Sequence, residues 1–270
     1  MDNRNASAAD GWERMENKME MQEIIALVKE TKAFVDNRER AGHVKVKGLA
    51  DYVTQVDTDI QSFLARELGN RFPDIQFLGE EEGLHEMSGD TYWILDPIDG
   101  TTNLIHDYQH SVVSLALYEK GEITLGIIYD PLREDVYHAQ KGTGSFLNGV
   151  PIHVSDAETL GETIITVGTS PYDREVADEN FKRIRRVFDH AQDIRRTGTA
   201  AMDLAYVACG RTGGFFGPKL SPWDFAAGQL LVKEAGGRVT DFAGEELDFL
   251  QRGSVVASNG KVHEELLGLL

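Results

Sequence analysis

The sequence holds one cysteine, Cys209, so it can form no internal disulfide and offers no pair of thiolates to a metal. No run of about 18 uninterrupted apolar residues occurs, which argues against a membrane-spanning helix. The opening stretch, MDNRNASAADGWERMENKMEMQE, lacks the apolar core of a secretory signal. Basic residues are also short: 27 Lys and Arg stand against 45 Asp and Glu, a formal charge of −18. A surface of that sign repels nucleic-acid phosphates. The densest basic cluster, Lys182-Arg183-Ile-Arg185-Arg186, is short and reads as the solvated face of a helix. These shortages lead to the expectation of a soluble cytoplasmic protein that binds neither membrane nor nucleic acid. A small anionic substrate would be repelled as well, unless cations stand between it and the carboxylates.

What is present is ordinary globular composition, 41% apolar and 27% charged over 270 residues, enough to bury a substantial core. Residues 1–17 carry no periodicity and read as a disordered or expression-derived tail. The spacing of Met21, Ile24, Ile25, Leu27, Val28, Ala33, Phe34 and Val35 predicts an amphipathic helix. Asp57-Thr58-Asp59 then starts a second helix, with Ile60, Phe63, Leu64 and Leu68 on one face. Short apolar runs predict strands at Ile75–Leu78 and Tyr92–Leu95, a hairpin from Ser111–Tyr118 and Ile123–Tyr129, and a strand at Asp135–Gln140. The turn-rich segment Gly142–Pro151 reads as a joint between an N-terminal α+β half, 18–150, and a C-terminal α/β half, 151–270. Beyond it, strands at Ile164–Val167, Gly236–Thr240 and Val255–Ala257 alternate with helices near 175–190, 199–209 and 223–235. The expected fold class is α/β, in layers.

The most informative segment is Trp93-Ile-Leu-Asp96-Pro97-Ile98-Asp99-Gly100-Thr101-Thr102-Asn103. An apolar strand runs into a turn with two carboxylates, then into a helix-start composition. Residues three apart on a continuous strand point to opposite faces, and Pro97 cannot donate to a ladder, so the strand is expected to stop at Asp96. A turn there brings Asp96 and Asp99 together with the Ile98 carbonyl between them. Carboxylates and a carbonyl are hard oxygen ligands suited to Mg²⁺. Gly100 and the helix start offer backbone N–H groups to an anion. Cations beside a phosphate cradle describe a phosphoryl-transfer site. The competing readings are a surface turn before a capped helix, or an aspartate-nucleophile phosphatase loop, in which the acidic pair is two residues apart rather than three. Taken singly, Glu80-Glu81-Glu82 reads as a solvated loop, Asp224 as a helix-dipole partner and Thr54-Gln-Val-Asp57 as a capping box.

Taken together, these segments resemble the inositol monophosphatase family of Mg²⁺-dependent, lithium-sensitive sugar phosphatases. The resemblance runs from about Lys47 to Gly260, through Asp51-Tyr-Val-Thr54-Gln-Val-Asp57, Gly79-Glu80-Glu81, Asp96-Pro-Ile-Asp99-Gly-Thr-Thr-Asn103, Gly198-Thr-Ala-Ala201 and Trp223-Asp224. It implies that Glu80, Asp96 and the Ile98 carbonyl hold one Mg²⁺, that Asp96, Asp99 and Asp224 hold a second, and that Glu80 touches a third through water. Most of these ligands fall in the half spanning 18–150, and Asp224 comes from the half spanning 151–270. The resemblance further implies that Asp57 and Thr101 orient the attacking water, with Lys47 nearby as a charge partner. The backbone of Gly100 and Thr101 would bind phosphate, and Gly198, Thr199 and Ala200 would face the alcohol. The implied fold is an α/β/α/β/α layered sandwich, assembled as a homodimer. The implied reaction is hydrolysis of a small phosphorylated polyol, sugar or nucleotide, with inositol-1-phosphate as the first substrate. Fructose-1,6-bisphosphate, a 3′(2′),5′-bisphosphate nucleotide or NADP is the alternative, and a catalytically idle interaction protein a third reading.

The pattern departs from the family in one place. Many inositol-specific members carry a glutamate seven residues before the Trp-Asp aspartate, where this chain has Gly217, and Lys219 brings a cation nearby. Losing that acceptor loosens preference for inositol, and Lys219 is either a contact for a second anionic group or an exposed loop lysine. His106, His110 and His138 lack zinc-ligand spacing, Cys209 reads as a packed thiol, and no serine sits in a nucleophile elbow.

Overall fold

The computed structural model describes residues 20–36, 42–48, 51–82, 89–249 and 251–270. The tail expected over 1–17 lies outside them. Helix α1, across residues 20–30, buries Met21, Ile24, Ile25, Leu27 and Val28 at the three- and four-residue spacing of one helical face, and α2 (Lys32–Val35) follows it. A two-stranded ribbon, β1 (Val44–Gly48) and β2 (Asp51–Thr54), leads into α3 (Gln55–Arg71). Thr54 caps α3: its hydroxyl accepts the Val56 N–H at 3.2 Å, and the Asp57 carboxylate accepts the Thr54 N–H at 2.9 Å. The helix therefore begins two residues before Asp57, whose place is in the first turn rather than at the start. Ile60, Leu64 and Leu68 are wholly buried.

The first sheet has seven strands, β3 (Gln76–Gly79), β4 (Thr91–Asp99), β5 (Val112–Glu119), β6 (Glu122–Asp130), β7 (Asp135–Gln140), β8 (Gly144–Leu147) and β9 (Val150–Ile152), paired in that order. Only β3–β4 is parallel. The segment at 142–151, expected only as a joint, thus supplies β8 and most of the edge strand β9. A short helix, α4 (Thr101–Ile105), leaves the end of β4. Alternation along the strands sends Trp93, Leu95, Val113, Leu115, Ile127 and Tyr129 toward α1–α3, and Ile94, Val112, Ala116, Ile128 and Tyr137 toward the opposite face.

The second sheet orders its five strands β11-β10-β12-β14-β13, from β10 (Ile164–Val167), β11 (Asp193–Arg195), β12 (Gly214–Leu220), β13 (Arg238–Thr240) and β14 (Gly253–Ser258). Helix α5 (Ala177–Phe188) and the C-terminal α8 (His263–Leu267) cover its outer face through Ile184, Val187, Val262 and Leu266. Arg183 and Arg186 of the basic cluster donate to the Leu270 and Leu269 carbonyls at 2.8 and 2.7 Å, tying α5 to the end of the chain. Between the sheets lie α6 (Ala200–Ala208) and α7 (Pro222–Glu234), whose Ala, Leu, Val and Phe side chains fill the central core with Phe215, Val255 and Ala257. The order is α/β/α/β/α. No helix among the described residues is long and apolar enough to cross a membrane.

The central layer is seated by small residues. A Cβ built on Gly126 of β6 would lie 2.8 Å from the Ala227 carbonyl oxygen of α7, a backbone atom that cannot swing aside. Gly126→Val is therefore expected to lift α7 from the sheet and to cost about 3 kcal/mol of stability. Urea unfolding measures it, and an unchanged midpoint would show that the helix has slack.

Candidate active site

The site is made by a register shift in β4. Asp96 pairs with Ser114 and Asp99 with Val112, three steps on one strand against two on the other, so the strand carries one extra residue. The strand does not stop at Asp96 as Pro97 suggests. It continues to Asp99 through a bulge, where the missing N–H of Pro97 removes no ladder bond. The extra residue also turns Asp99 to the face that carries Asp96. The Ile98 N–H donates to Asp96 Oδ1 at 3.0 Å and closes the bulge. At Gly100 φ is +94°, and a Cβ there would lie 2.4 Å from Thr199 Cγ2, so only glycine turns the chain into α4 at this point.

The other acids arrive at helix starts. Asp99 Oδ2 accepts the Ala201 N–H of α6 at 2.6 Å, and Asp224 Oδ2, in the first turn of α7, accepts the Ser221 N–H at 2.7 Å. Asp96, Asp99 and Asp224 thus each hold a backbone N–H, and each offers an oxygen within 4.8 Å of the other two. Glu80, opening a short helical turn after β3, stands outside that triple but lines the same cavity as Asp96. Asp57 Oδ1 accepts the Thr101 hydroxyl at 2.9 Å, and the Ile98 carbonyl lies 3.1 Å from the same hydroxyl. Lys47 Nζ lies 2.8 Å from Glu81, the neighbour of Glu80.

Gathering carboxylates away from water raises their proton affinity. Asp96 is held well above the usual carboxylate range by burial first, then by Glu80, Asp99 and Asp224. Burial and the Asp224 charge do the same to Asp99. Glu80 is pushed up to about 8 by burial and Asp224. Asp224 rises to about 6 through burial, against the pull of the Ser221 N–H and Arg252. Burial also raises Asp57, opposed by its bonds to Thr54 and Thr101. A set of hard oxygen donors that repel one another at close range, with each Asp pinned by the backbone, fits a divalent cation such as Mg²⁺.

The acids floor a cavity of about 780 Å³, beside Gly100 and Thr101. Gly198, Thr199 and Ala200 line it as well, and Lys47 reaches its rim. The Thr199 hydroxyl is buried and has no hydrogen-bond partner among the described residues. Asp57 reaches the cavity only through Thr101. Sequence reasoning missed Tyr172, Arg196 and Arg252, which also line it. They lie in loops and strand approaches with no local pattern to mark them.

A model of the inositol monophosphatase family matches residues 13–270. The chain belongs to the inositol monophosphatase family. Among its relatives in that family, a protein of Xylella fastidiosa named Nus factor SuhB is 43% identical over 204 residues, covering 76% of this chain and 74% of the relative. A fructose-1,6-bisphosphatase/inositol-1-monophosphatase of Thermotoga maritima is 39% identical over 233 residues, covering 86% of each. A solved IMPase/NADP phosphatase complexed with Mg²⁺ and phosphate superposes with a TM-score of 0.83 at 26% identity, covering 94% of this chain and 95% of that one.

At the position where many inositol-specific members of the family carry glutamate, Gly217 lies in β12 with no room to spare. A Cβ there would lie 3.3 Å from both Leu220 and Phe215. Lys219 does not line the cavity; its ammonium is ion-paired to Asp173.

Proposed function

We propose that this member of the inositol monophosphatase family is a Mg²⁺-dependent phosphatase that hydrolyses a small phosphomonoester with water. The observation that carries the reading is the convergence of Asp96, Asp99 and Asp224 at the floor of one cavity. Those three would hold Mg²⁺, with Glu80 and the Ile98 carbonyl beside them. Bound there, the metal would neutralise phosphate oxygens and lower the pKa of a coordinated water.

The chain's own groups supply position and proton traffic. Thr101 commits its hydroxyl hydrogen to Asp57, which leaves the Thr101 oxygen as an acceptor for a proton of the attacking water. Asp57 is in turn held by the Thr54 N–H, so the pair is fixed before substrate arrives. Gly100 and Thr101 present the first turn of α4 to the phosphate, and the unpartnered Thr199 hydroxyl, with Gly198 and Ala200, faces the alcohol. Inositol-1-phosphate is the simplest substrate, and fructose-1,6-bisphosphate, a 3′(2′),5′-bisphosphate nucleotide or NADP is the alternative. A cytoplasmic, lithium-sensitive homodimer goes with this reading.

A second reading, a fold kept for interaction rather than turnover, is favoured by the name Nus factor SuhB of the Xylella fastidiosa relative. Phosphate release from these four substrates, each with Mg²⁺, with Mg²⁺ plus Li⁺, and with chelator, separates the two. Release that needs Mg²⁺ and falls with Li⁺ is the expected result. Silence on every substrate would give the interaction reading first place.

A further inference from the structure

Three Lys and Arg side chains line the cavity among the described residues: Lys47, Arg196 and Arg252. Lys47 is spent on Glu81. The two arginines are held differently. Arg196 places Nε and Nη2 each 3.2 Å from one uncharged acceptor, Thr169 Oγ1. Arg252 lies with its guanidinium carbon 5.4 Å from the centre of the Tyr172 ring. Among the described residues neither has a carboxylate at ion-pair distance, although the chain carries 45 acidic side chains.

Thr169 and Tyr172 belong to one loop, which leaves β10 and leads toward α5. Arg196 reaches that loop from the end of β11, and Arg252 from the approach to β14. The loop therefore gathers two guanidinium groups onto the cavity wall from distant parts of the chain. Contact with a hydroxyl or a ring face orients a guanidinium and leaves most of its five N–H donors available. The field of Arg252 already reaches the floor, where it opposes the rise at Asp224.

We propose that Arg196 and Arg252 form a subsite for a second anionic group, so that the preferred substrate carries two phosphates rather than one. The proposal rests on the phosphatase reading above and names its substrate class. A polyol with a single phosphate, bound over the acids, leaves both guanidinium forks to water. A second phosphate on the same molecule meets planar donors suited to bidentate pairing. It also moves this role away from Lys219, which Asp173 already neutralises.

The test compares kcat/KM for inositol-1-phosphate, fructose-1,6-bisphosphate and adenosine-3′,5′-bisphosphate, with Mg²⁺, in wild type and in the double variant Arg196→Ala/Arg252→Ala. Both side chains are exposed, so the variant is expected to keep the wild-type melting temperature. At least one bisphosphate should be preferred about tenfold or more by the wild type, and the double variant should lose about tenfold or more of that preference, chiefly through KM. Arg→Lys at both positions should restore part of it, because charge is kept and the fork is lost. Which bisphosphate responds tells a sugar from a nucleotide. An unchanged preference in the double variant overturns the subsite and leaves the phosphatase reading standing. No release from any substrate by the wild type overturns that reading, and this proposal with it.

Discussion

Asp96→Asn is expected to lower phosphate release at least about a thousandfold, to erase the calorimetric Mg²⁺ isotherm, and to raise the melting temperature of the metal-free protein. The three effects have one origin. Asp96 is raised by burial first and then by Glu80, Asp99 and Asp224 together, so a carboxylate at that place is opposed by three neighbouring acids. Removing it would take away one of the three aspartates proposed to hold the cation and would relieve the apo site, since buried charges without a partner destabilise a fold. Turnover retained by this variant would sink the assignment of the metal site.

The same cluster sets a pH dependence whose sign can be worked out. In the unfolded chain Glu80 and Asp224 ionise near 4.5 and 3.8, whereas in the fold they keep their protons up to about 8 and about 6. Across that window the folded protein binds more protons than the unfolded one, so the stability of the metal-free protein falls as pH rises. Under the proposed reading Mg²⁺ would take the place of those protons, so its addition should raise the melting temperature more at pH 8 than at pH 5.5. Melting curves in chelator and in Mg²⁺ across this range measure both slopes. A flat metal-free profile would mean the acids are more solvated than their placement shows.

Thr101→Val should lower kcat about a hundredfold or more while Mg²⁺ affinity stays within a few-fold of wild type. The substitution keeps the shape of the side chain and deletes the oxygen that Asp57 orients. In Asp57→Asn the carboxamide can donate to that oxygen and occupy the position kept for water, so a similar loss is expected there. Stopped assays of phosphate release at saturating substrate, with calorimetry of the metal, check both. Wild-type turnover in Thr101→Val would reduce the pair to a helix cap.

Much of this was readable in the sequence, and the residues show where reading ends. Asp135–Gln140 and Ile164–Val167 are short β-rich runs between turn residues, and both are strands at those bounds. Strand β12 escaped notice because Gly217-Pro218-Lys219 breaks its apolar run, a break that the structure absorbs in a second register shift opposite β14. The passage of β4 through Pro97 was hidden for a related reason: a bulge is a property of two strands, and one strand alone does not contain it. Spacing brought Asp96 and Asp99 together, but only resemblance linked Glu80 and Asp224 to them, since tertiary convergence leaves no local pattern. Lys219 had two meanings in the sequence; the structure sets it in β12 and pairs it with Asp173, far away along the chain.

Helix α7 touches strands of both sheets, and Asp224 stands at its leading end. During synthesis, Asp96 and Asp99 leave the ribosome long before Asp224 does, so a nascent chain that has completed the first sheet still lacks a whole cation site. If the three aspartates hold a cation as proposed, its capture would wait for α7 to dock, and the ion would then act as a clasp between the middle layer and the seven-stranded sheet. Chelation should then first increase amide exchange along the opening turns of α6 and α7, leaving the distant edge strands as slow as before.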